Sequence, residues 1–320
     1  MYRQLERRHL ARVDAIGWGR GLQVVSRLWT VGQRLQIRAR KAVKRLVPEF
    51  VFRRVSTQLD GGDELTFVGD VPITRSTVDE VIELLTRPVP ETRPRHVHFT
   101  NAYSVVSARR DPQLAAAFQS GVCFPDGLPL VWAVMRLYEG RAWSPVNRVR
   151  GPDTFPGVLD AGQAAGTKHY LLGGSPDALE QLQTVIGETY PDALIVGAAS
   201  PPFKPIDEVD WDVYLAEIAE AQADLVWVGL GTPKQDFVSK MLAERDPERT
   251  YLAVGAAFDF VAGTVKVAPT WMQKRGLEWL FRLMTEPRRL WRRYLIGNVE
   301  FVIIVARQLA SRRRGERSTA

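Results

Sequence analysis

From residue 66 onward, short apolar runs rich in β-branched and aromatic residues alternate with longer segments whose apolar residues recur at helical spacing. Residues 66–74 read as a β segment that turns at Gly69 and Asp70. Val78, Val81, Ile82 and Leu85 then line one side of a helix with Ser76 as its cap. A strand is predicted over 97–100, a helix over 101–110 beginning at Asn101, and a further helix from Asp111 and Pro112 to Phe118. A short strand over 122–124 leads through Pro125, Asp126 and Gly127 into a helix over 130–138. After a loop over 140–151, helices over 153–165, 178–189, 207–221 and 234–244 alternate with strands over 169–172, 194–196, 225–228 and 251–254. Such alternation predicts an α/β fold, a mainly parallel Rossmann-like sheet flanked by helices with right-handed crossovers. Three parts result: a basic helix-prone extension over 1–62, an α/β core over 63–268, and a helical basic appendage over 269–320.

Two of the strand ends are unusual. The strand ending at Val228 runs into Gly229, Leu230, Gly231 and Thr232, followed by Pro233, Lys234, Gln235 and Asp236. The strand ending at Val254 runs into Gly255, then Phe258, Asp259, Phe260 and Gly263. Glycine at a strand end lets backbone or ligand approach closely, and a helix that starts just beyond it presents free N–H groups to an anion. Lys234 and Gln235 are placed to meet an anion or hydroxyls. Gly173 and Gly174, followed by Ser175 and Pro176, fit a phosphate-cradling turn and equally a tight βα turn with Ser175 as N-cap; they match neither a P-loop nor GxGxxG. Asp126 follows a short strand and precedes glycine, so it belongs at the carboxyl edge of the sheet, where a carboxylate serves as a general base or as an Asp-Gly turn. Asp259, between two phenylalanines, reads as a buried structural residue. Asp210 and Asp212 have the spacing of a DxD metal motif, but at a helix start they read as a cap.

Composition narrows the class further. The 320 residues, 45% hydrophobic and 25% charged, suit a soluble globular chain. Cys123 is the only cysteine, which excludes an intrachain disulfide and points to a reducing compartment. His96 and His98 share one face of a strand, and no histidine pair has helical metal-ligand spacing, so neither a metal nor a cofactor is expected. No run reaches about 18 apolar residues, the length of a membrane span, and the start lacks the apolar core of a signal peptide. The net charge of +7 is concentrated at the two ends. In the first 60 residues Arg7, Arg8, Arg12, Arg34, Arg38, Lys41 and Lys44 interleave with Leu22, Val25, Leu28, Trp29 and Leu35. Near the other end Arg288, Arg289, Arg292 and Arg293 precede an apolar patch over 301–305, followed by Arg312, Arg313 and Arg314. Basic and apolar residues mixed at helical spacing suit an anionic membrane surface; a solvated tail is the plain alternative. Nucleic acid is not expected, because the middle of the chain is not markedly basic and no recognition motif is present. Deleting residues 1–58 is therefore expected to weaken co-sedimentation with anionic liposomes and leave the core folded. Attachment should also fall with salt, as the screening length shortens from ~10 Å at 0.1 M to ~3 Å at 1 M; unchanged co-sedimentation would assign the extension another task.

Four ordered blocks carry a family resemblance: Thr100 and Asn101 with Pro125, Asp126 and Gly127; residues 148–153, RVRGPD; residues 229–235, GLGTPKQ; and residues 254–263, VGAAFDFVAG. A tail follows with Ala268, Pro269, residues 276–279 (GLEW), Arg282 and residues 286–288 (EPR). Over roughly residues 65–295 the chain resembles the TagA/WecG/CpsF family of bacterial glycosyltransferases. The resemblance implies transfer of N-acetylmannosamine, its uronic acid or a related hexose from a UDP-sugar to a polyprenyl-diphosphate-linked sugar at the cytoplasmic membrane face, in wall or capsule assembly and without a metal. It implies Asp126 as catalytic base and Thr100 and Asn101 as active-site residues. Arg148 and Gln235 would line the donor pocket, and Arg282, Arg289 and Arg292 would meet the diphosphate. Departures from the family pattern are Asp236 in place of Glu, Val267 in place of Arg, and Arg150 where a small or hydroxylated residue is common. The appendage is expected to complete the site, with a chain ending near Pro269 still folding. An NAD-dependent oxidoreductase lacks its GxGxxG here; a non-catalytic nucleotide-binding membrane adaptor stays open, as does a homo-oligomer.

Overall fold

The computed structural model describes residues 66–87, 93–138, 147–266, 268–269, 271–272 and 275–318; the extension over 1–62 lies outside them. A two-stranded antiparallel hairpin opens the described chain, β1 (Thr66–Val68) and β2 (Val71–Ile73), turned at Gly69 and Asp70 as its sequence suggests. Helix α1 (Val78–Leu85) is capped one residue later than expected. Thr77 accepts from the Glu80 amide while the Glu80 carboxylate accepts from the Thr77 N–H, a reciprocal capping box, and Ser76 only adds a bond to Glu80.

Next come β3 (His96–Thr100), α2 (Ala102–Arg110), α3 (Pro112–Ser120), β4 (Val122–Pro125) and α4 (Leu128–Leu137). Asn101 and Asp111 cap α2 and α3 through their side-chain oxygens. Helix α4 starts two residues earlier than predicted, because Gly127 takes the N-cap position and Pro129 fits the first turn. The regular half follows as α5 (Gly151–Ala165), β5 (Lys168–Gly173), α6 (Pro176–Thr189), β6 (Leu194–Ala199), α7 (Trp211–Glu220), β7 (Leu225–Gly229), α8 (Lys234–Arg245), β8 (Thr250–Ala253) and α9 (Ala257–Ala262). The helix expected over 207–221 is divided. Residues Ile206–Glu208 form a 3-10 turn, and Asp210 begins α7 by accepting from the Asp212 amide.

The six strands β3–β8 form one parallel sheet in the order β4-β3-β8-β7-β5-β6, the α/β architecture expected. Its carboxyl edge therefore gathers the loops after β4, β3, β8 and β7 side by side, although 129 residues of chain separate Asp126 from Gly255.

The last segment comprises α10 (Glu278–Thr285), α11 (Pro287–Trp291), one π-helical turn (Arg292–Ile296) and α12 (Gly297–Ser318). Helix α12 is docked on the core. Phe301 is buried in the cluster that includes Val68, Val105, Leu114 and Phe118, with Ile304, Val305 and Leu309 packed against it. Gln308 bonds the Phe67 carbonyl and the Gly69 amide at 2.8 and 3.0 Å, and Arg312 donates to the Leu137 carbonyl at 2.8 Å. Residues Arg292–Arg312 are long and apolar enough to cross a membrane, contrary to the expectation from counting consecutive apolar residues, which Asn298, Glu300 and Gln308 interrupt. The core contacts along one side of α12 keep that side from lipid.

Candidate active site

A cavity of about 540 Å³ opens over the carboxyl ends of β4, β3, β8 and β7 and is closed on its outer side by α10, α11 and the π turn. That volume lies within the range for small-molecule sites, and the position is where ligands enter open parallel sheets.

Asp126 stands at its floor. Its amide donates to the Thr100 carbonyl at 2.7 Å, which fixes the carboxyl edge of β4 against β3. The side chain keeps 29% of its exposure, with Oδ1 3.8 Å from Arg150 Nε. Burial pushes its carboxyl up to about 6; Arg150 and then Arg148 pull the other way, while Glu278 and Asp153 add to the rise. A carboxyl poised near neutrality can exist in either protonation state at working pH, as a general base requires.

Arg148 and Arg150 both converge on Glu278 of α10: Arg148 Nη1 to Oε2 at 2.6 Å, Arg150 Nη2 to Oε1 at 3.0 Å. Arg150 is nearly buried and also faces Asp153 at 3.7 Å. The residue that departs from the family pattern is thus the nearest cation to the candidate base. Two further arginines come from the last segment. Arg282 lies over the Phe260 ring at 5.7 Å, and Arg293 over the Tyr103 ring at 4.3 Å; the Nε of each is buried with no hydrogen-bond partner. Stacking on a ring fixes the plane of a guanidinium and leaves its edge for an oxyanion. Burial pulls the Arg293 guanidinium below its ordinary value.

Gln235 is buried and works as a clamp. Its Oε1 accepts the amides of Gly231 and Gly255, each at 3.0 Å, so one side chain ties together the loops after β7 and β8. Those loops need glycine: Gly231 and Gly255 have φ of +76° and +62°, and a Cβ on Gly229 would stand 2.7 Å from the Phe258 ring. Asp236, the next residue, points into the protein, its Oδ1 2.9 Å from His98 Nδ1, and His98 Nε2 is 2.8 Å from His96 Nδ1. The two histidines share a strand face as predicted, and burial, then the charge of His98, lowers His96 to about 3. This buried chain seats the first turn of α8, and Gln235 with it, on β3.

Of the residues singled out from sequence, Asn101, Asp126, Arg148, Gln235 and Arg282 line the cavity. Thr100 is buried beneath it, its hydroxyl donating to the Phe124 carbonyl. Lys234 turns away and donates to the Lys204 carbonyl at 2.6 Å. Gly173 and Gly174 do not line it. A Cβ on Gly173 would stand 2.6 Å from the Gly229 carbonyl oxygen, so the glycine permits close packing of β5 on β7, and Ser175 caps α6. Arg292 is exposed over the Trp291 ring, and the Arg289 side chain is outside the described residues. Arg293, the next residue along the π turn, lines the cavity. Asp259 lines the cavity and is not a core residue. Arg150, Glu278, Trp279 and Tyr294 were not foreseen; the GLEW and RVRGPD blocks held the signal, but only long-range contact joins them.

The parallel sheet defines an α/β protein with a cavity at the carboxyl ends of its strands. A model of the Glycosyl transferase WecG/TagA/CpsF family matches residues 66–315, and the chain belongs to that family of glycosyltransferases.

Proposed function

We propose that the protein transfers a hexose, N-acetylmannosamine, its uronic acid or a related sugar, from a UDP-sugar to a polyprenyl-diphosphate-linked acceptor in cell-surface polysaccharide synthesis, with inversion at the anomeric carbon. The observation that carries the reading is the pairing of a carboxylate near neutrality with four arginines in one cavity, two of them with unpartnered Nε groups. Asp126 takes the proton from the acceptor hydroxyl as its oxygen attacks C1 and UDP leaves. Arg282 and Arg293 meet the charge on the departing diphosphate, the role of preorganised donors aimed at developing charge. The glycine loops clamped by Gln235 give the donor a backbone surface to lie against. The experiment is UDP release by the full chain with a lipid-linked acceptor and a panel of UDP-hexoses and UDP-N-acetylhexosamines; no release with any donor would leave the adaptor reading.

Activity should persist in EDTA. Asp210 caps α7, Asp212 pairs with Arg245 at 3.0 Å, and among the described residues no group of three His, Cys, Asp or Glu side chains is placed to hold a metal. Loss in chelator that Mg²⁺ or Mn²⁺ restores would return the DxD to consideration as ligands.

Arg293→Ala is expected to lower turnover by about one to two orders of magnitude, the scale for loss of a charge-stabilising donor, while Arg292→Ala stays near wild type. The reverse order would place the π turn's register elsewhere in the working enzyme.

We propose that the protein works on the inner face of the membrane without crossing it. Exposed Leu295, Ile296, Val299, Val302 and Ile303 form the outer side of the π turn and α12, with exposed Arg292 and Arg307 beside them. Such a helix rests in the interface plane with its arginines at the headgroups.

A further inference from the structure

Helix α4 is apolar on both sides. Leu130, Val131, Ala133, Val134 and Leu137 are buried, whereas Trp132 and Met135 on the outer side are 55% and 57% exposed, with exposed Arg136 next to them. A core-facing helix ordinarily carries polar residues on its outer side. This outer side begins at the cavity: Leu128 and Pro129 line it, and Trp132 flanks the turn at Gly276, where a Cβ would stand 3.4 Å from its ring and 3.2 Å from Leu128. Beyond that turn Trp271 is exposed, with the Arg275 guanidinium 6.0 Å from its ring centre.

We infer that the outer face of α4 is a second membrane foot, belonging to the core and not to the last segment, and that it seats Trp132 and Met135 in an anionic bilayer surface at the mouth of the cavity. The inference rests on the membrane reading above. Charge complementarity selects this occupant: exposed Arg136, Arg275, Arg288 and Arg292 lie on α4 and the segment that closes the cavity. An anionic surface attracts that set, while a second copy of the chain would bring like charge against it. Tryptophan with an apolar body and one N–H suits the interface in particular.

The consequence is one of distance. Asp126 sits two residues before Leu128, and at 1.5 Å per residue Trp132 lies about 6 Å and Met135 about 10 Å along the axis from Leu128. A bilayer that holds Trp132 therefore holds the candidate base within roughly the length of a sugar and diphosphate from the lipid surface. The two feet, α4 and α12, flank the cavity's lining, so a lipid-linked acceptor would enter between them.

The only cysteine, Cys123, is buried, so one introduced thiol can be labelled selectively. The full chain carrying Trp132→Cys with an environment-sensitive fluorophore is mixed with vesicles of phosphatidylcholine, with and without phosphatidylglycerol; Val302→Cys is labelled in parallel. Both labels should shift to the blue on the anionic vesicles and be quenched by lipids that carry a shallow nitroxide. Response at 302 with silence at 132 would overturn the second foot and leave the membrane reading in place. Silence at both would sink both, and a shift at 132 that follows protein concentration without lipid would assign the face to a second copy. As an independent readout, Trp132→Ser with Met135→Ser should reduce turnover on vesicle-embedded acceptor at least about tenfold and leave turnover on a detergent-soluble short-chain acceptor unchanged. Equal turnover on vesicles would also overturn the proposal.

Discussion

Asp126→Asn is expected to keep the fold and donor binding while lowering turnover by about two to four orders of magnitude, the range for loss of a positioned general base. The amide is nearly the same shape as the carboxylate, and the fold uses this residue's backbone N–H, which the substitution retains. The pH profile tests the same group independently. A base must be ionised, so kcat/KM should fall on the acid side with a midpoint near 6, the value to which burial raises this carboxyl. Arg150 is the largest influence in the opposite direction, so Arg150→Gln should move that midpoint to higher pH. A bound diphosphate adds negative charge beside Asp126 and should move the kcat limb the same way. Turnover of Asp126→Asn near wild type with both substrates saturating, or an acid limb indifferent to Arg150, would remove Asp126 from the role.

The strands were legible in the sequence because each is a short β-rich run bounded by glycine, proline or a capping side chain; β5, β7 and β8 differ from expectation by a residue or so. The floor of the cavity was legible for the same reason, since Asp126, Asn101 and Gln235 each follow a strand end and parallel strands bring such ends together. What was not legible depends on contacts between distant parts of the chain. Glu278 gains its meaning from Arg148, 130 residues away, and Asp236 from His98 across 138 residues. In the last segment Arg292 lies exposed over the Trp291 ring while the adjacent Arg293 lines the cavity, a difference of one position that a resemblance alone does not resolve. A glycine pair after a strand, such as Gly173 and Gly174, suits a cradle and a tight turn equally; the approach of the Gly229 carbonyl to Gly173 accounts for the first glycine by packing.

A helical appendage with an apolar patch over 301–305 is legible in the sequence, but its docking on the core is not, because such a patch suits a bilayer and a core equally, and this changes what truncation should do. A chain ended near Pro269 was expected to fold and bind donor. It would in fact strip Phe301, Ile304, Val305 and Leu309 from the cluster beneath α2, α3 and α4, and would leave the Phe67 carbonyl and Gly69 amide without Gln308. Phe301→Ala alone should cost about 3–5 kcal/mol, the usual range for a buried phenylalanine, and lower the thermal midpoint by roughly 10 °C for a domain of this size. The truncated chain, losing all four side chains, should show no cooperative melt and no donor binding. Circular dichroism melts of the full chain, Phe301→Ala and the truncated protein, each with and without UDP, would decide it. A truncated protein that melts cooperatively at the full-length midpoint would mean that α12 rests on the core without supporting it. The arginines then have to be tested by substitution and not by deletion, because the same segment that brings Arg282 and Arg293 to the cavity also closes the core from which Asp126 projects.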